Sequence, residues 1–92
     1  MRSLDMVPIP NENVVGRMVD GEAVLVLPEK GKVKVLNEVG ASIWSLVDGR
    51  RSAREIAAAL CDEYQVEPQE AEVDTLAFLD ELEKKGVLRL PD

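Results

Sequence analysis

The chain has 92 residues, 46% of them hydrophobic and 32% charged, with a net charge of −7, one cysteine and no histidine. This length suits one domain, spanning 1–92, with one modest core, and the composition is that of a folded chain rather than a disordered one. The acidic balance argues against a nucleic-acid backbone or an anionic membrane as partner. No apolar run approaches the length needed to cross a bilayer.

The opening residues, Met1 to Met6, carry one positive charge and no apolar stretch behind it, so no secretory signal is expected. From Val14 to Leu36 the chain is rich in valine and leucine and is broken at Asp20-Gly21 and at Pro28-Glu29-Lys30-Gly31. These breaks predict three strands, at about Val14–Val19, Glu22–Leu27 and Lys32–Leu36. Asp-Gly is a strong tight-turn signal, and the proline and glycine of the second break suit a looser turn. Connections this short require antiparallel pairing. In the third strand Val33 and Val35 share one face while Lys32 and Lys34 share the other, a pattern with one side on a core and one toward water.

Asn37 is a suitable N-cap for a helix over Glu38 to about Val47, with Val39, Ile43, Trp44, Leu46 and Val47 at helical spacing. Gly49 suits the left-handed position that follows a helix. Ser52-Ala53-Arg54-Glu55 has the pattern of a capping box and predicts a second helix over 52–64, with Ile56, Ala57, Leu60, Cys61 and Tyr64 as its apolar stripe. A third helix is predicted over 68–85, opened by Pro68 and stopped by Gly86, and Val87 to Leu90 suits a short final strand. On the third helix Ala71, Thr75, Phe78, Leu79 and Leu82 fall on one side, the expected core face. Val73, Leu76 and Ala77 form a second strip, flanked by Asp80, and are available either to the sheet or to a partner.

No residue pattern supports catalysis. Without histidine, a cysteine–histidine nucleophile pair is ruled out and a structural zinc site has too few ligands. The glycines belong to turns rather than to a phosphate loop. The carboxylates between Glu67 and Glu83 read as a solvated helix face, Trp44 as a core anchor, and Cys61 as an inert buried thiol. A lone cysteine suits a reducing compartment, so the expectation is cytoplasmic. No cofactor and no metal are expected.

From Leu36 onward the residues carry a resemblance. Leu36-Asn37-Glu38-Val39-Gly40-Ala41-Ser42-Ile43-Trp44 is followed by Leu46-Val47-Asp48-Gly49 and by Ser52-Ala53-Arg54-Glu55-Ile56. Leu60, Tyr64, Asp74, Phe78-Leu79, Leu82 and Gly86-Val87-Leu88 complete the set. In order and spacing this run resembles the PqqD family, the recognition elements of ribosomally made, post-translationally modified peptides (RiPPs). The resemblance implies an α+β, winged-helix-like fold, a three-stranded antiparallel sheet followed by three helices. It implies a stand-alone domain without catalytic residues that binds the leader of a precursor peptide and serves a separate modifying enzyme, such as a protease or a radical enzyme. The products of such systems include pyrroloquinoline quinone (PQQ) and lasso peptides. The leader would add a strand beside Lys32, Val33, Lys34, Val35 and Leu36, over a groove walled by Val73, Leu76, Ala77 and Asp80. Leu76 stands where the family often has a polar residue, so an apolar groove and a leader with aliphatic or aromatic anchors are expected.

The alternatives are a winged-helix DNA-binding regulator, which shares this layout, and a general protein–protein adaptor. A DNA reader needs cations along its recognition helix. Here the third helix is mostly acidic, and Arg50, Arg51 and Arg54 lie at the start of the second.

Overall fold

A computed structural model describes residues 3–91. Met1 and Arg2, part of the segment read above as lacking a secretory signal, and Asp92 lie outside the described residues. In chain order the elements are β1 (Ile9–Pro10), β2 (Val15–Val19), β3 (Glu22–Leu27), β4 (Lys32–Leu36), α1 (Glu38–Ser45), α2 (Ala53–Tyr64), α3 (Pro68–Lys85) and β5 (Leu88–Arg89). Strands β2, β3 and β4 form an antiparallel sheet in that order, and the three helices follow it, giving the expected α+β architecture.

Local chemistry accounts for most of the boundaries. Asp20 and Gly21 both have positive φ (52° and 83°), the type I′ geometry whose twist matches two antiparallel strands. Pro28–Lys30 forms one 3-10 turn, and Gly31 closes it in the left-handed region at φ 61°. The Asn37 side chain accepts from the Gly40 N–H at 2.9 Å and so caps α1. In α2 the capping box is complete: Ser52 Oγ accepts from the Glu55 N–H at 3.2 Å, and Glu55 Oε1 accepts from the Ser52 N–H at 2.9 Å. Helix α1 ends at Ser45, two residues short of the expected Val47. The segment after it is shaped by Asp48, whose Oδ1 accepts from the Arg50 and Arg51 N–H groups, both at 2.9 Å.

The core lies between the sheet and the helices. Ala23, Leu25 and Leu27 of β3 meet Ile43 of α1, Ile56 and Leu60 of α2, and Ala71, Leu79 and Leu82 of α3 in one buried cluster. Trp44 is half-buried against this cluster, with its indole Nε1 beside Gly16 of β2. Cys61, expected to be buried, is half-buried.

Two features were not expected from the sequence. Ile9–Pro10 pairs antiparallel with Leu88–Arg89, so the N-terminal segment and the final strand make a second small sheet. The same segment continues over α2, where the Leu4 and Met6 carbonyls accept from the Arg54 and Ala53 N–H groups, both at 2.9 Å. Those are N–H groups of the first helical turn, which have no partner within the helix. Met6 and Pro8 are buried by this wrapping.

The second feature concerns β4. Its faces alternate as expected, but the valine side is the one toward water: Val33 and Val35 are 63% and 56% exposed. Register explains the choice. The four-residue connection opposes Lys32 to Leu27, Lys34 to Leu25 and Leu36 to Ala23, so these residues share the inner face. Leu36 is buried there, Lys34 is half-buried, and Lys32 is exposed at the start of the strand.

Candidate functional site

The sheet order leaves β4 as an edge strand. Which of its backbone groups are free follows from the β2–β3 turn. A two-residue type I′ hairpin makes Val19 and Glu22 a hydrogen-bonded pair, and such pairs alternate along an antiparallel ladder. Glu22, Val24 and Val26 therefore direct their backbone groups toward β2, and Ala23, Leu25 and Leu27 direct theirs toward β4. The partners on β4 are Leu36, Lys34 and Lys32. The N–H and C=O groups of Val33 and Val35 consequently point away from the sheet, at its open edge.

Beside that edge the space between β4 and α3 forms two cavities in line. The upper one, about 400 Å³, is bounded by Lys34, Val35 and Leu36 of β4, by Asn37, Val39, Gly40 and Ile43 of the α1 segment, and by Asp74, Phe78 and Glu81 of α3. The lower one, about 210 Å³, is bounded by Lys32, Val33 and Lys34, by Leu25, Leu27 and Val87, and by Lys85. Lys34 borders both, and its Nζ lies 3.8 Å from Glu81 Oε2 across the groove. Gly40 lets the Phe78 ring approach α1 closely at the upper cavity: a Cβ there would fall 2.9 Å from Phe78 Cζ.

The structure thus brings all five expected strand residues, Lys32 to Leu36, to the groove. It does not bring the expected wall residues there. Leu76 is half-buried against the core, Ala77 is exposed, and Asp80 pairs with Lys84 at 3.4 Å. Val73 is 60% exposed and borders a shallow depression with Glu67, Gln69, Glu70 and Asp74 at the open end of α3. At about 100° per residue Leu76 and Asp80 lie roughly 160° around the helix from Phe78. Asp74, Phe78, Glu81 and Lys85 are the positions that border the two cavities. Phe78, assigned to the core by spacing, is half-buried and forms part of the wall. The 4-3-4 spacing of Asp74, Phe78, Glu81 and Lys85, adjoining the core stripe, was the signal for this wall. Its mixed chemistry sets it apart from an apolar stripe.

The wall and floor carry no reactive group beyond carboxylates and ammonium groups. Among the described residues no group of three or more His, Cys, Asp or Glu is placed to hold a metal ion, and no helix is long and apolar enough to cross a membrane. What the arrangement supplies is two outward backbone donor–acceptor positions, at Val33 and Val35, above two cavities lined by apolar and charged side chains together. An extended chain laid along β4 would satisfy the former and drop alternate side chains into the latter.

Known proteins share this architecture. TbiB1, in a structure with the TbiA(beta) leader peptide, is 34% identical with a TM-score of 0.82, the match covering 88% of this chain and 94% of that one. A lasso peptide synthetase B1, complexed with the leader peptide, is 25% identical with a TM-score of 0.80, over 90% of this chain and 98% of that one. The PqqD truncation of Methylobacterium extorquens PqqCD, described as a functional and stand-alone RiPP recognition element, is 31% identical with a TM-score of 0.80, over 97% of this chain and 95% of that one. No curated protein sequence matches the chain. The family model of coenzyme PQQ synthesis protein D (PqqD) matches residues 22–88. The chain belongs to the PqqD family.

Proposed function

We propose that this protein binds the leader segment of a ribosomally made precursor peptide as a fourth strand along β4 and presents it to a separate modifying enzyme. One observation carries the reading: an edge strand with outward backbone groups at Val33 and Val35 stands directly beside a two-cavity groove. Backbone pairing would supply affinity, and the side chains opposite Lys34 and its inner-face neighbours would supply selectivity. The upper cavity, with Phe78, Ile43 and Val39, suits an aromatic or large aliphatic anchor, and the lower, with Leu25, Leu27 and Val87, a smaller aliphatic one.

The enzyme is a different chain in this reading, a protease or a radical enzyme, and the setting is the cytoplasm, in keeping with a single half-buried thiol. Nucleic acid is the poorer partner. Arg51 pairs with Asp48 at 2.8 Å, Arg54 contacts Asp5 and Glu72 at 3.4 and 3.9 Å, and the charged residues that α3 presents to the upper cavity are Asp74 and Glu81.

Amide hydrogen exchange, with and without the leader of the short precursor encoded beside this protein's gene, tests the proposal. Added protection at Val33 and Val35 and along Asp74 to Glu81 is the expected result. Saturating leader that leaves the β4 amides unprotected would refute strand addition.

A further inference from the structure

The groove is electrically uneven from end to end. On α3 the residues bordering it read, in order, Asp74, Phe78, Glu81 and Lys85, and Glu70 stands one turn beyond, at the depression that Asp74 also borders. At the end near Leu36, Asp74 stands by the upper cavity, and Glu67 and Glu70 flank the open depression beyond it. At the opposite end Lys32, Lys34 and Lys85 surround the lower cavity. The Lys34–Glu81 contact at 3.8 Å marks the boundary between the two zones. Among the described residues no ion pair engages Glu67, Glu70, Asp74, Lys32 or Lys85, so both ends keep uncompensated charge.

We propose that this polarity selects the charge order and register of the bound leader: in a strand antiparallel to β4, basic side chains precede the apolar anchors and acidic side chains follow them. The inference rests on strand addition along β4 and adds the charge pattern of the ligand. Strand β4 runs from Lys32 at the basic end to Leu36 at the acidic end, and α3 runs the other way. An antiparallel leader therefore has its N-terminal part beside Asp74 and Glu70 and its C-terminal part beside Lys32 and Lys85. Antiparallel pairing continues the hand of the sheet and is the more stable of the two ladders. The parallel alternative would require the opposite charge order. Along α3 the 11 to 15 residues from Asp74 or Glu70 to Lys85 rise about 16–22 Å, which an extended chain covers in about five to seven residues. The basic and acidic groups of the leader should be separated by that interval, with the two anchors between them.

The probe is the leader of the precursor encoded beside this protein's gene, prepared with a spin label at its N-terminal residue. Two protein variants, Glu70→Lys with Asp74→Lys and Lys32→Glu with Lys85→Glu, change only exposed side chains, and their melting is followed in parallel. Each is expected to bind the leader about three- to tenfold more weakly at low salt, with the difference vanishing near 1 M salt. A leader whose basic residues are changed to glutamate should recover affinity for the first variant only. The label should broaden amides at Asp74 rather than at Lys85.

Unchanged affinity in both variants, with the wild-type protein binding normally, would overturn the polarity argument and leave strand addition standing. Broadening at Lys85 would overturn the direction. A wild-type protein that does not bind the leader would overturn the proposed function and this inference together.

Discussion

The phase of the β4 ladder makes a prediction that neighbouring substitutions can separate. Proline lacks the N–H donor and is tolerated in a strand where that N–H faces away from the sheet. At Val35 the N–H points to the open edge, so Val35→Pro leaves the β3–β4 pairing intact and removes one bond offered to a leader. At Lys34 the N–H faces Leu25, so Lys34→Pro breaks a ladder bond beside a buried strand. A net hydrogen bond contributes about 0.5–1.5 kcal/mol, which predicts a loss of leader affinity of about two- to twelvefold for Val35→Pro. Leaving the Leu25 carbonyl without its donor costs about 1–3 kcal/mol, so Lys34→Pro should lose that much stability or more. Urea unfolding followed by circular dichroism reads the stability, and fluorescence anisotropy of a labelled leader reads the affinity. A Val35→Pro protein less stable than Lys34→Pro would show that the ladder phase is inverted. Unchanged affinity in a folded Val35→Pro protein would remove β4 as the pairing edge.

Other substitutions examine the groove and the core. Gly40→Ala pushes the Phe78 ring into the upper cavity, so leader affinity should fall more than melting temperature, as calorimetric titration and thermal melts can compare. Thr75 is fully buried and its hydroxyl has no hydrogen-bond partner among the described residues, so Thr75→Val should stabilise the protein by about 1 kcal/mol in urea unfolding. Leu76→Glu should destabilise the fold by about 1–3 kcal/mol while the folded fraction binds leader normally, because Leu76 rests on the core and not on the groove. The backbone N–H groups of Arg51 and then Arg50 hold the Asp48 carboxyl below the ordinary 3.8 of aspartate. Its contribution to stability is therefore complete above about pH 4 and is lost as the pH falls through the lowered value. A carboxyl titration followed by NMR should give Asp48 a midpoint below 3.8.

Short-range signals carried far in this chain. The Asp20-Gly21 turn, the Asn37 cap, the Ser52–Glu55 capping box, Pro68 and Gly86 each act within a few residues, where local geometry decides the outcome, and each marks a boundary in the structure. The order of strands and helices follows from those boundaries, and with it the edge position of β4. Even the inner face of β4 was latent in the sequence, because Leu36 has the same parity as Lys32 and Lys34. Two valines outweigh one leucine when the strand is read alone, and only its register with Leu25 and Leu27 reverses the choice.

The amino-acid sequence by itself determined the element order, the caps and turns, the acidic character and the family likeness, since all of these reside in neighbouring residues or in ordered spacing. Tertiary structure decided three things. It paired Ile9–Pro10 with Leu88–Arg89 and laid Leu4 and Met6 over the start of α2, contacts between distant segments that no local pattern announces. It turned α3 so that Asp74, Phe78, Glu81 and Lys85, rather than Leu76 and Asp80, face β4. It also aligned free charge with the two ends of the groove. A helix with apolar residues on more than one side has several near-equivalent orientations as an isolated segment, and the packing of Leu79 and Leu82 into the shared core selects among them.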